Sequence, residues 1–179
     1  MLAPAGHLIG FDRLEDGTLF GHTDNAVWRS GDGGHSWSRT HAAKPSGFHG
    51  LAGIDFLDGL RGWAFTWGGG VYRTRDGGVT WVSRNPDWQD VRVCTLAARN
   101  ADELAVGGAF LGKPARSWVR LSRDGGDTWQ AAPLEGDGGV RRLRWSATGE
   151  LWACSRGIFK FDGAAGRFLR MDPPRSERR

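Results

Sequence analysis

Helical periodicity is missing from this chain. Across its 179 residues no window repeats apolar side chains at three- and four-residue spacing, and no heptads occur. This excludes helical bundles and coiled coils. No apolar run approaches the roughly 20 residues that a membrane-crossing helix needs. Cysteine is scarce. Cys94 and Cys154 lie far apart, each inside an apolar stretch, so they make no disulfide framework and read as buried free thiols, with a disulfide between them as the alternative. Lysine is confined to Lys44, Lys113 and Lys160, so the formal charge of +4 is carried almost wholly by arginine. The histidines His7, His22, His35, His41 and His49 show neither an HExxH helix nor Cys/His spacing, and no metal is expected. No glycine-rich loop opens a helix, so no phosphate-bearing cofactor is expected, and no specific nucleic-acid motif is present. The start, Met1 to His7, lacks a basic segment followed by an apolar core. A secretory leader is therefore not expected, and a cytoplasmic location is the default unless the true start lies upstream.

What is abundant is glycine, with 29 residues, and tryptophan, with 10. That mixture suits short strands joined by tight turns. An eight-residue stretch recurs three times: Ser30-Gly31-Asp32-Gly33-Gly34-His35-Ser36-Trp37, Thr74-Arg75-Asp76-Gly77-Gly78-Val79-Thr80-Trp81 and Ser122-Arg123-Asp124-Gly125-Gly126-Asp127-Thr128-Trp129. Counted from Asp32 to Asp76 and from Asp76 to Asp124, the copies stand 44 and 48 residues apart, a spacing typical of repeat architectures. Asp-Gly between β-prone runs predicts a hairpin. The aspartate is suited to accept turn N–H groups, the glycines to supply positive φ, and the hydroxyl to tie the turn to its own backbone. The tryptophan is placed to start the outgoing strand and fold over the turn.

The three copies resemble the Asp-box, or BNR repeat, of sialidase-like β-propellers. Around the second copy, Ile54-Asp55-Phe56, Gly62-Trp63-Ala64 and Gly70-Val71-Tyr72-Arg73-Thr74 resemble one blade of the photosystem II assembly and stability factor-like propellers. The resemblance implies an all-β propeller in which the boxes are structural and sit at the blade periphery, away from any active site. On that reading Asp32, Gly34, Ser36, Trp37, Asp76, Gly78, Thr80, Trp81, Asp124, Gly126, Thr128 and Trp129 hold hairpins. It also implies an assembly or stability role by analogy, with a sialidase-like glycoside hydrolase or carbohydrate-binding module as the alternative.

Four units of four short strands follow, at about residues 7–40, 51–84, 91–132 and 140–171, within one domain spanning 1–171. In the fourth, the box has decayed to Asp162-Gly163-Ala164-Ala165-Gly166-Arg167-Phe168. Terminal repeats are often atypical. Residues 172–179, ending Arg178-Arg179, read as a disordered basic tail. Four units suit a small closed ring, the reading favoured narrowly. Two chains completing a larger ring as a homodimer, and an arc or part of a longer propeller, are the other arrangements.

Sialidases use a tyrosine nucleophile with a glutamate, an aspartate acid/base and three arginines. The chain's only tyrosine, Tyr72, stands four residues before Asp76, where the other copies have Trp28 and Arg120. It therefore reads as a repeat position, and the chain is expected not to be an enzyme. Within the boxes Asp124 and Asp127 are the only close acidic pair, short of a Ca²⁺ loop. The candidate partner-binding residues are Arg92, Arg141, Arg142 and Arg144 on inner strands, with Arg116, Arg156, Trp67 and Trp88 in loops. His22, Asp24, Lys44, His49 and Lys113 lie in the same loops. Arginine mixed with tryptophan suits a protein partner or another acidic macromolecule.

Overall fold

The computed structural model describes residues 7–40, 50–84, 88, 90–112, 114–136 and 138–171. The expected tail, with Lys44, His49 and Lys113, lies outside the described residues. Among those residues there is no helix, and hence none long and apolar enough to cross a membrane.

Among the described residues sixteen strands form four sheets, each an antiparallel meander in sequence order. The first holds β1 (Gly10–Arg13), β2 (Leu19–His22), β3 (Val27–Ser30) and β4 (Ser38–Arg39). The second holds β5 (Leu51–Phe56), β6 (Gly62–Thr66), β7 (Val71–Thr74) and β8 (Val82–Ser83). The third holds β9 (Val91–Ala98), β10 (Leu104–Phe110), β11 (Ser117–Ser122) and β12 (Gln130–Ala131). The fourth holds β13 (Arg142–Trp145), β14 (Leu151–Cys154), β15 (Ile158–Asp162) and β16 (Arg167–Arg170). The stretch after Gly107, which reads as the start of a long connection, continues as strand to Phe110 because Ala109 and Gly108 pair with Ser117 and Trp118.

Period-two alternation gives each sheet two faces, and neighbouring sheets bury them against each other. Phe20 of β2 stacks on Phe56 of β5 with ring centroids 3.6 Å apart. Trp63, Val93, Leu104 and Val106 fill the space between the second and third sheets. Val119, Val140, Leu143, Leu151 and Phe159 fill the next. Polar clamps cross the same joints. Asp12 Oδ2 accepts the Phe56 N–H at 2.7 Å, and Asp55 Oδ2 accepts the Ala98 N–H at 2.8 Å. At the third joint Thr95 Oγ1 accepts the Leu143 N–H at 3.0 Å.

The inner strands touch in the series β1, β5, β9, β13, and among the described residues no strand of the fourth sheet contacts a strand of the first. The outward face of the fourth sheet is correspondingly bare. Cys154 pairs with Arg142 and Ile158 on that face, and all three are exposed. The expectation of a buried thiol therefore fails at Cys154, because no sheet covers it, while Cys94 is half-buried; both are free.

The boxes close the turns between the third and fourth strands. In the second box the Asp76 carboxylate accepts the Thr80 N–H at 2.9 Å and the hydroxyls of Thr80 at 2.6 Å and Thr74 at 2.8 Å. Thr74 Oγ1 in turn accepts the Gly78 N–H at 2.9 Å. Asp32 and Asp124 repeat this set with Ser36 and Ser30, and with Thr128 and Ser122. The paired glycines Gly77 and Gly78 take φ of 71° and 87°, the left-handed region that only glycine enters freely. Trp37 and Trp81 each donate the ring N–H to a carbonyl of their own box, Gly34 O at 3.1 Å and Gly78 O at 3.0 Å. Trp129 instead donates to Arg84 O of the second sheet at 2.8 Å. It thereby bridges two sheets, and Trp129→Phe should lower stability by about 1 kcal/mol, read as a shift of the urea midpoint. In the decayed fourth turn Asp162 accepts only the Ala164 and Ala165 N–H groups.

Candidate functional site

Residues of all four inner strands line one open cavity of about 520 Å³, termed the axial cavity. Gly10, Phe11 and Asp12 of β1 line it with Ile54 and Asp55 of β5, Cys94 to Ala98 of β9, and Arg142 to Trp145 of β13, joined by Arg141 and His22. In its wall Gly53 makes room for the Phe65 ring, since a Cβ there would lie 2.4 Å from it.

The cavity gathers three of the arginines singled out in the sequence. Arg141, Arg142 and Arg144 are exposed, and no ion pair is formed by them among the described residues. The register explains two of them. Arg144 pairs with Trp152 and Arg142 with Cys154, on the face of the fourth sheet that no other sheet covers among the described residues. Leu143 and Trp145 alternate with them and pack on the third sheet, where Trp145 donates its ring N–H to Ala97 O at 3.2 Å.

The remaining candidates do not line the cavity. Arg92, Arg116, Arg156 and Trp67 are exposed near the ends of the sheets opposite the boxes, at the start of β9 and in the turns after the second strands. Trp88 is half-buried, with its ring 5.2 Å and 5.3 Å from those of Trp118 and Trp129. Tyr72 is buried between the first and second sheets and does not reach the cavity.

Two acids in the cavity were not among the sequence candidates. Asp12 and Asp55 occupy matching positions, one facing Phe20 in register and the other Trp63. The matching position is Ala97 in the third sheet and Arg144 in the fourth. Burial pushes the Asp55 carboxyl up to about 6, against the lowering effect of the Ala98 N–H, and the Asp12 charge adds to the rise. His22, buried at the cavity edge, has its pKa lowered by the same desolvation. The recurrence of an acid ahead of Phe20 and Trp63 would have been visible only once the inner strands were aligned by register. The outer-strand boxes draw attention away from it. Among the described residues no group of three or more His, Cys, Asp or Glu side chains could hold a metal.

No protein-family model and no curated protein matches the chain. Solved structures do. An ancestral GH74 enzyme superposes with a TM-score of 0.73 at 16% identity, over 95% of this chain and 24% of that one. YCF48 from Cyanidioschyzon merolae superposes with a TM-score of 0.70 at 17% identity, over 89% of this chain and 52% of that one. YCF48 bound to D1 peptide gives 0.54 at 20% identity, over 67% of this chain and 39% of that one. The chain thus spans from about a quarter to about half of the length of these structures. At these identities the likeness concerns the fold, and together with the four meanders it establishes that the chain is a β-propeller of four-stranded antiparallel blades.

Proposed function

We propose that the chain is a non-enzymatic propeller module that binds an acidic segment of a protein partner at the axial cavity, in an assembly or stability role. The observation that carries this reading is the cluster Arg141, Arg142 and Arg144 in one cavity, unpaired with any acid among the described residues. Guanidinium groups donate in a planar fork that matches carboxylates. The YCF48 structure bound to D1 peptide supports a peptide-binding use of the same fold. In a fluorescence anisotropy titration with a labelled Glu- and Asp-rich peptide, the double variant Arg142→Glu/Arg144→Glu should bind at least about tenfold more weakly than the native chain. Unchanged affinity would refute the site.

A glycoside hydrolase is the second reading, favoured by one observation. Asp12 and Asp55 share the cavity, with Asp55 raised to about 6, and a pair of carboxyl groups of which one has a raised pKa is what glycosidases use. Each acid, however, has one oxygen engaged in bracing the next sheet. Turnover of aryl glycosides that disappears in Asp55→Asn would establish this reading over the first.

A further inference from the structure

We propose that the axial cavity is a two-signed site for a ligand that carries an ammonium and a carboxylate on one short frame. The inference rests on the acidic-partner reading for its arginine half and adds an acidic half to the same site.

Asp12 and Asp55 line the cavity from β1 and β5, and Arg142 and Arg144 line it from β13. No ion pair joins the two sets, and among the described residues neither aspartate pairs with any cation. The reason is mechanical. The Oδ2 atoms of Asp12 and Asp55 are held at 2.7 Å and 2.8 Å by backbone N–H groups of the next sheet, so the carboxylates cannot swing toward the arginines. The arginines rise from a sheet packed on the opposite side of β9 from β5. Rigid sheets thus keep opposite charges apart across one space.

An uncompensated pair of poles in a concave, partly apolar site is a field that a bipolar ligand completes and a singly charged one only half satisfies. Phe11, Ile54 and Trp145 supply apolar wall for the link between the charges. About 520 Å³ lies within the roughly 300–1,000 Å³ of small-ligand cavities. The same two-signed chemistry is offered by a free amino-acid-like molecule and by a lysine and a glutamate near each other on a protein segment.

Calorimetric titration of the whole chain separates these sources. One series is ω-amino acids of increasing chain length, with alkylamines and alkyl carboxylates as singly charged controls. The other is capped peptides with Lys and Glu at graded spacing. The proposal predicts one site, a preferred charge separation, and a loss of about tenfold or more when either charge is removed. Asp12→Asn keeps an acceptor for the Phe56 N–H, so the fold should persist, as its thermal unfolding will show. It should weaken the bipolar ligand and, by removing a like charge from the cavity, leave carboxylate-only binding no weaker than in the native chain. Arg144→Gln should weaken both. Binding by the ω-amino acids assigns a small molecule, and binding by the peptides alone assigns a protein segment. If carboxylate-only ligands bind as tightly as bipolar ones, the proposal falls while the acidic-partner reading stands. Absence of binding in both series also overturns it, and the acidic-peptide titration then decides the broader reading by itself.

Discussion

Asp55→Asn should make the protein more stable at neutral pH, by about 2–3 kcal/mol, and no more stable below pH 4. The carboxyl has a reference value of 3.8 and is raised to about 6 in the fold, chiefly by burial. An acid with a raised folded pKa keeps its proton after the unfolded chain has lost its own. Stability therefore falls as pH rises from about 3.8 to about 6, and the deficit stays constant above that. A rise of about two pKa units corresponds to about 3 kcal/mol, an upper figure for a group that can still relax toward water. Asparagine has no charge to desolvate, and its carbonyl can accept the Ala98 N–H that Asp55 now accepts at 2.8 Å. Urea unfolding of both proteins at pH 3.5 and 7.5 checks this. Equal stability at both values would mean that the Asp55 environment is wetter than its burial indicates. A residue kept at a cost to stability in a cavity is also what a binding site requires.

The second large effect has the opposite origin. Asp76→Ala should lower stability by about 2 kcal/mol at pH 7 while leaving ligand affinity unchanged. The substitution removes the acceptor for the Thr80 N–H and for two hydroxyls, and strands Thr74, which is almost wholly buried. Hydrogen bonds to a charged acceptor are worth about 1.5–3 kcal/mol each when dry, and the partial exposure of this turn reduces their sum. Asp162→Ala should cost less, because the decayed turn ties only two backbone groups. The pH dependence also inverts. The threonine hydroxyl and N–H of Thr128 hold Asp124 down to about 2, and the bonds within the second box likewise lower Asp76. A depressed folded pKa contributes stability that is present above the unfolded value of 3.8 and is lost as pH falls toward 2. Acid should therefore loosen the boxes and relieve Asp55 at the same time.

The hairpins were legible in the sequence because everything that makes them is local. Asp76, Gly77, Gly78, Thr80 and Trp81 find their partners within eight residues, so spacing alone carries the information. The strand order followed from the same repeats. The bridge from Trp129 to Arg84 was not legible, since the third box reads like the other two and differs only in which carbonyl lies nearest. The arginines of β13 stand out in the sequence because they fall on an inner strand, but their separation from Arg92, Arg116 and Arg156 depends on where along its sheet and on which face each residue lies. Asp12 and Asp55 escaped notice for a related reason. Each makes its contact with the next sheet, 44 and 43 residues away in the chain, and the local sequence, Ile54-Asp55-Phe56 included, does not show that contact. Cys154 looked like a core residue in an apolar strand. Its exposure follows because no sheet among the described residues packs on that face of the fourth sheet, which an individual strand sequence does not encode.

The central claim is a division of labour, with structure in the boxes and binding in the axial cavity. Titrating the labelled acidic peptide into Asp76→Ala and into Arg142→Glu/Arg144→Glu, under conditions where both are folded, tests it most directly. The account predicts native affinity for the first and a loss of about tenfold or more for the second. Native affinity in the double variant, with binding lost in folded Asp76→Ala, would contradict it.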